Sequence, residues 1–450
     1  MLRIAGVYLW IAASVSASPL AAATREVTFA ADVAPIFFQH CTGCHHPNDI
    51  APMSLLTYKD ARPWAASIRE AVVSRAMPPW RADPNFGSFS NDLRLSDAEI
   101  ETVRAWVTQG AEEGDSLKAP AAPHYDDNWK IGKPDAVIDI GETHVVDAGG
   151  PDEYVYFEVP TGFTQDRWVQ AAELRPGNRR VVHHAHVWVE APKPPADAKA
   201  EGQKPEQVSL TFTEGKLTHI RPDAPVLDDG CLADDGAAWP GRPPQGGTGP
   251  IASYLPGKAP DAYPRGTAKL IPAGSVLRFQ VHYSKTTGKT ETDRTSVGLI
   301  FSDRPPDHPM RRIDISNYLF RLPPGDSNHE VSECHRFTAP ISMLSLTAHM
   351  HVRGKSMRFD VEYPDGRKET LLNVPRYSFN WQMTYRFAEP KPIPAGARLI
   401  ITAHFDNSLN NAVNPDPSKA IRWGEPSNEE MMDGWVEYLD AAVALAVARK

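Results

Sequence analysis

The spacing of apolar positions changes character about a quarter of the way along the chain. Over residues 61–76, Trp64, Ile68, Val72 and Val73 recur at helical intervals, which predicts a helix there. Residues 33–39 form a shorter apolar run, also read as a helix. A third helix begins at Ser96-Asp97-Ala98-Glu99. This is a capping-box sequence, in which Ser96 and Glu99 satisfy backbone donors left orphaned at the helix start. Ile100, Val103, Trp106 and Val107 give that helix one apolar face, and Gly110 ends it. Further along the pattern alternates: Phe279, Val281 and Tyr283 are interleaved with Gln280 and His282, the period of a half-buried strand. Pro364-Asp365-Gly366 reads as a turn between strands. The 42 prolines argue for strands and turns rather than long helices beyond the first hundred residues.

The alternating part contains a weak internal duplication. Val159-Pro160-Thr161-Gly162 corresponds to Leu322-Pro323-Pro324-Gly325, and His184-Ala185-His186-Val187 to His349-Met350-His351-Val352. Ile271-Pro272-Ala273-Gly274 leads to Val281-His282-Tyr283 at the same spacing by which Ile393-Pro394-Ala395-Gly396 leads to Ala403-His404-Phe405. Three landmarks in one order are hard to obtain by chance. A Pro- and Gly-rich segment, about 192–264, lengthens the first copy. Repeated short strands predict two tandem, all-β antiparallel sandwiches of jelly-roll type, about 128–306 and 307–450. The expected architecture is multidomain, with a small all-α domain at 24–115, a linker at 116–127 and the two sandwiches behind it.

Residues 1–23 read as a secretory signal. Arg3 supplies the charge, residues 4–15 the apolar stretch, and Ala21-Ala22-Ala23 a cleavage site in competition with Ser16-Ala17-Ser18. No later stretch has the apolar length of a membrane span, so a periplasmic or secreted protein is expected. The net charge of −9 and the absence of a basic tract argue against nucleic acid as a partner. Of four cysteines, Cys231 and Cys334 are open to pairing in an oxidising compartment.

The other two cysteines carry the plainest chemistry. Cys41-Thr42-Gly43-Cys44-His45 is a CxxCH arrangement, which attaches one haem c through two thioethers and offers His45 as proximal iron ligand. Residues 24–115, three helices around such a motif, resemble a compact cytochrome c. Met77, in Ala76-Met77-Pro78-Pro79-Trp80, is the chosen sixth ligand, held where prolines stiffen the backbone. Met53 competes with it, and His46 lies too near His45 to cross the ring.

Histidines mark the duplicated modules. His349 and His351, at i and i+2 on a strand, share a face. In the first module His184 and His186 share a face, while a bulge, or coordination through different ring nitrogens, would bring His183 and His184 onto one metal. His282 on a facing strand can complete a three-imidazole site, and imidazole suits zinc, copper, iron and nickel alike. The segments Val182-His183-His184, Gln280-Val281-His282-Tyr283, His349-Met350-His351-Val352-Arg353-Gly354-Lys355 and Glu429-Glu430-Met431 resemble the copper type II, ascorbate-dependent monooxygenases, over about 128–450. That family includes peptidylglycine α-hydroxylating monooxygenase and dopamine β-monooxygenase. The resemblance implies two coppers on facing sandwiches across a solvent-filled cleft. One would be an electron-transfer copper on His183, His184 and His282; the other would be an oxygen-binding copper on His349, His351 and the thioether of Met431, the catalytic set. His186 rivals His183, and His404 and Met432 rival Met431.

The activity implied is hydroxylation of a C–H bond of a small organic substrate with O2, one oxygen atom being incorporated. Electrons would pass from an external donor (a periplasmic redox protein, a quinol-linked donor or an ascorbate-like reductant) through the haem. At the positions where the peptide-amidating enzyme holds its substrate carboxylate, this chain has Thr347, Asp433 and Trp435. With no cation among them, a neutral or apolar substrate is expected rather than a glycine-extended peptide. The alternatives are a non-catalytic haem and copper electron-transfer or copper-binding protein, and structural zinc sites on a cytochrome scaffold.

Overall fold

The structure is a computed structural model describing residues 25–440, apart from 48, 50, 126–127, 151, 191–211, 214–215, 218–230, 234–248, 256–257, 286 and 425–426. The expected signal segment, 1–23, and most of the expected insertion lie outside the described residues. The chain is mostly β, about 38% strand against 12% helix, and its strands build four main sheets in a four-bladed, propeller-like arrangement.

The first sheet runs in the order Ala136–Asp139, Ser296–Phe301, Arg167–Arg175, Thr267–Ile271, His308–Pro309. The second runs Glu153–Pro160, Val276–Tyr283, Val182–Glu190, Ala252–Tyr254. The third runs Arg311–Ser316, Asp433–Asp440, Ile341–His349, Thr384–Ile393. The fourth runs Lys368–Val374, Gly354–Glu362, Arg398–Phe405, His329–Arg336, Leu232–Ala233. Alternation of side chains directs Leu277, Phe279 and Val281 into one core and Leu399, Ile401 and Ala403 into another. Close packing of the third sheet on the fourth requires Gly434, where a Cβ would stand 2.0 Å from Ile401 Cδ1.

The mostly β, four-bladed arrangement overturns the expected fold class of a small all-α domain followed by two tandem sandwiches. The boundary near 306 is crossed by pairing: His308–Pro309 lies parallel to Thr267–Ile271, and Leu232–Ala233 lies parallel to His329–Arg336. The Cys231–Cys334 disulfide, with Cα atoms 5.0 Å apart, ties the same two regions. Leu344 and Leu439, from strands of the third sheet, pack in the core of the first two sheets. A salt bridge of 2.8 Å joins Lys269 to Glu437 across the same junction.

The helices are also not a separate all-α domain. They are short: Ala34–His40, Ala65–Val73 and Asp97–Thr108, with a single turn at Tyr58–Ala61 and short non-α turns beside them. Both halves of the Ser96/Glu99 capping box form. Phe29, Phe37 and Trp106 meet edge-on or tilted at 5.9 to 6.3 Å and centre a small core. After the second of these helices, however, the chain leaves that core. Trp80, Ala82 and Phe89 enter the β core, Phe89 bridges Phe387, and Ser90 N–H donates to the Arg386 carbonyl. The helical segment is thus fastened to the β body by its own middle. No helix among the described residues is long and apolar enough to cross a membrane.

Candidate metal and haem sites

Strand pairing builds the first histidine cluster. His282 lies directly opposite His184 between Val276–Tyr283 and Val182–Glu190, and the register shifts at the next position, pairing Tyr283 with Val182. The extra residue at that irregularity is His183, so the chain supplies the bulge that two adjacent histidines need to face one point. His184 Nδ1 stands 3.1 Å from His183 Nδ1 and 3.2 Å from His282 Nδ1. The three residues are the group of nitrogen, thiol or carboxylate ligands that converges among the described residues.

Three neutral imidazoles cannot satisfy each other at such separations, since each carries a single N–H. A metal can hold them so. With metal–nitrogen bonds of about 2.0 to 2.1 Å and angles near 90 to 110°, neighbouring ligand nitrogens fall about 2.9 to 3.4 Å apart. The Asp152 carboxylate lies 3.2 Å from His282 Nε2, so it accepts that N–H and leaves the Nδ1 lone pair facing the cluster. Tyr154 stacks on His282 at 4.3 Å and 5°. Burial holds His184 well below the ordinary imidazole range, and burial and the neighbouring His183 push His282 down to about 4. The rings are therefore neutral at pH 7, the form that ligates. His186 is not part of the converging group: its Nδ1 meets the Ser253 hydroxyl at 2.8 Å, and burial pushes it down to about 3.

The second pair sits where strand Ile341–His349 ends. His349 Nδ1 lies 2.6 Å from Gln382 Oε1, and His351 Nδ1 lies 3.2 Å from the Glu429 carbonyl. Both oxygens accept, so each ring carries its N–H on Nδ1. Trp435 stacks on His349 at 4.9 Å and 16°, and the two imidazoles stand at 87° with centroids 5.3 Å apart. Glu430, fully buried, accepts from His351 N–H at 2.8 Å and Arg353 N–H at 2.6 Å, and it also receives the Met431 N–H. One carboxylate thereby ties the histidine turn to the segment carrying Met431, which is half-buried. Gly354 permits the tight return, since a Cβ there would meet Met350 Cβ at 2.6 Å.

The rivals to Met431 have other places. Met432 is fully buried in the β core. His404 lies in the fourth sheet, with Ser356 Oγ at 3.3 Å from Nδ1 and Glu330 at 3.3 Å from Nε2. Thr347 meets the Thr384 hydroxyl. Sequence reasoning found no cation here, but a neighbouring strand supplies one: Arg312 lies 4.2 Å over the Trp435 ring, with its charge paired to Asp314.

At the CxxCH motif, Cys44 and His45 N–H groups both turn back to the Cys41 carbonyl. Cys41 and Cys44 are not bonded to each other. Burial raises the Cys41 thiol to about 12, and Cys44 is raised as well. A redox dithiol works through a lowered thiol, and neither thiol here is lowered. His45 Nδ1 lies 3.2 Å from the Met53 carbonyl, leaving Nε2 as the nitrogen free to ligate. Met53 thus reaches His45 through its backbone carbonyl. Met77 is half-buried just past helix Ala65–Val73, its N–H bonded to the Ala71 carbonyl. His46 is buried, stacked on Tyr125 at 4.0 Å and 2.9 Å from Asp49. Beside the motif a cavity of about 370 Å³ opens between His46, Asp49 and Trp129 on one side and Glu173 and Arg175 of the first sheet, with Arg179 just beyond it, on the other.

No protein-family model matches this chain, and no curated protein matches it. Among solved structures it is similar to a Paenibacillus xanthan lyase, at 11% identity and a TM-score of 0.17, covering 72% of this chain and 28% of that one. It is also similar to the infectious bursal disease virus VP2 subviral particle, at 11% identity and a TM-score of 0.17, covering 72% and 76%. This chain spans little more than a quarter of the xanthan lyase's length, and neither likeness carries an argument.

Proposed function

We propose that the chain is an exported, copper-dependent monooxygenase that hydroxylates a C–H bond of a small organic substrate, with a covalent haem c as its electron entry. The observation carrying this reading is the convergence of the His183, His184 and His282 nitrogens at 3.1 and 3.2 Å, with a second, differently oriented histidine pair in the duplicated position. The family resemblance of the histidine and Glu-Glu-Met segments supplies the chemistry. Substrate C–H, O2, two electrons and two protons give the alcohol and water. Bound copper would supply dioxygen activation and one-electron transfer.

The chain's own residues prepare those sites. Asp152 orients His282, Gln382 orients His349 and the Glu429 carbonyl orients His351, fixing which nitrogen of each ring carries the N–H. Glu430 keeps the His351 turn beside Met431. Trp435 covers one face of His349 with an apolar ring, which suits a neutral substrate. Cys41, Cys44 and His45 would hold the haem, and Met77 is its proposed sixth ligand. The partners in this reading are O2, the substrate and an external electron donor.

A haem and copper electron-transfer protein without oxygenation is the competing reading. In its favour, the converging nitrogens among the described residues form one site rather than two. Oxygen uptake separates the two. The monooxygenase binds two coppers and consumes O2 only with reductant and substrate, and Met431→Ile abolishes uptake while one copper stays bound. Uptake unchanged by that substitution would contradict the assignment.

A further inference from the structure

We propose that Asp293 is a positioning residue for the first histidine cluster, a carboxylate that fixes the strand carrying His183 and His184 against the strand carrying His282. The inference rests on the reading of that cluster as a copper site. Ladder pairing by itself accounts for His184, which lies directly opposite His282. His183 is different. It is the extra residue at the register shift, and the next pair, Tyr283 with Val182, is the last of the ladder. A bulge at a strand end has few ladder bonds to fix it, so its geometry depends on what braces it.

Asp293 braces that end from both sides. Its Oδ1 accepts from the Asn178 N–H at 2.9 Å, and its Oδ2 accepts from the Tyr283 hydroxyl at 2.8 Å. Asn178 opens the turn into the His183 strand, since its carbonyl receives the Val182 N–H at 3.1 Å. Tyr283 follows His282 directly, and its ring is fully buried and stacked on His144 at 4.6 Å. One carboxylate oxygen therefore serves each arm of the cluster. The Thr295 N–H and hydroxyl donate to Oδ2 at 3.1 and 2.8 Å and fix the carboxylate itself. The turn lies tight against the segment that carries Asp293, because a Cβ at Gly177 would stand 2.6 Å from Arg294 N. Asp293 is 2% exposed, and its four donors are uncharged groups that converge on two acceptor oxygens. An asparagine amide cannot replace it. In one orientation its NH2 would face the Asn178 N–H, and in the other the Thr295 N–H. Asp152 acts on the His282 ring, whereas Asp293 acts on the chain that sets where the rings start.

Copper binding and EPR on the full chain test this without turnover. Asp293→Asn lowers the copper affinity of the first cluster by about tenfold or more in a competitive chelator titration, the scale of lost support around a metal ligand. The Cu(II) signal of that cluster drops from three imidazole couplings to two, as it does in His183→Ala, while the copper at His349 and His351 is unchanged. Tyr283→Phe deletes one donor and keeps the buried ring. It moves both readings the same way by less, and it decides the question if the asparagine variant does not fold. Three couplings retained at unchanged affinity, even in a variant that unfolds at lower urea, overturn the role of Asp293 and leave the copper reading standing. An equal loss at both copper sites overturns that role too. A wild-type chain that binds no copper overturns the copper reading as well.

Discussion

Replacing Glu437 by Gln tests the junction that brings the two histidine clusters together. Glu437 lies on strand Asp433–Asp440, two residues from Trp435, and accepts from Lys269 Nζ at 2.8 Å and from Ser345 Oγ at 2.9 Å. Burial alone would raise its carboxyl. The Lys269 ammonium, assisted by Arg386 and Ser345, overcomes that and holds it at about 2, below the ordinary 4.5. That depression corresponds to about 3 kcal/mol of folding stability. Because the folded value lies below the unfolded one, the contribution is complete above about pH 4.5 and disappears as pH falls through about 2. Glu437→Gln also leaves the Lys269 ammonium, 3% exposed, without its counter-charge, for a cost of about 3 to 5 kcal/mol at pH 7. Urea unfolding followed by tryptophan fluorescence at several pH values measures the gap between variant and wild type. It should be full at pH 7 and close towards pH 2. A gap independent of pH, or no gap at pH 7, would refute the claim that this ion pair fastens the junction.

Asp152→Asn weakens the hold on His282, and copper affinity of the first cluster should fall by about 10- to 100-fold in a competitive chelator titration while the second is untouched. Cys334→Ser opens a disulfide spanning 103 residues, and chemical unfolding should register a loss of about 2 to 5 kcal/mol. Met77 and His45 variants should lose turnover with a protein electron donor while a small chemical reductant still supports it; equal loss with both reductants would count against haem as the entry point.

Local elements were readable from the sequence because their causes are local. The Ser96/Glu99 box forms as written, and Phe279, Val281 and Tyr283 line a buried face in alternation. The duplicated Ile-Pro-Ala-Gly turns place Gly274 and Gly396 at φ of 72° and 82°, each just before the expected strand. The pairing of Cys231 with Cys334 was open in the sequence and is made in the fold. What escaped was non-local. Leu232–Ala233 and His308–Pro309 are two-residue strands with no period to detect, yet they carry the pairing that joins the sheets across the expected boundary. The all-α reading of residues 24–115 failed for a similar reason, since nothing in Trp80 or Phe89 announces a partner three hundred residues away. At the histidines, residue type was legible and orientation was not. Asp152, Gln382 and Glu430 come from loops and strand ends whose spacing bears no relation to the residues they serve.

The most direct test of the central claim is metal analysis joined to EPR on freshly purified, haem-matured protein. The account predicts one haem and two coppers per chain, with a Cu(II) signal carrying imidazole nitrogen couplings that His184→Ala partly removes. Zinc in place of copper, or a copper signal that His184→Ala leaves intact, would contradict it.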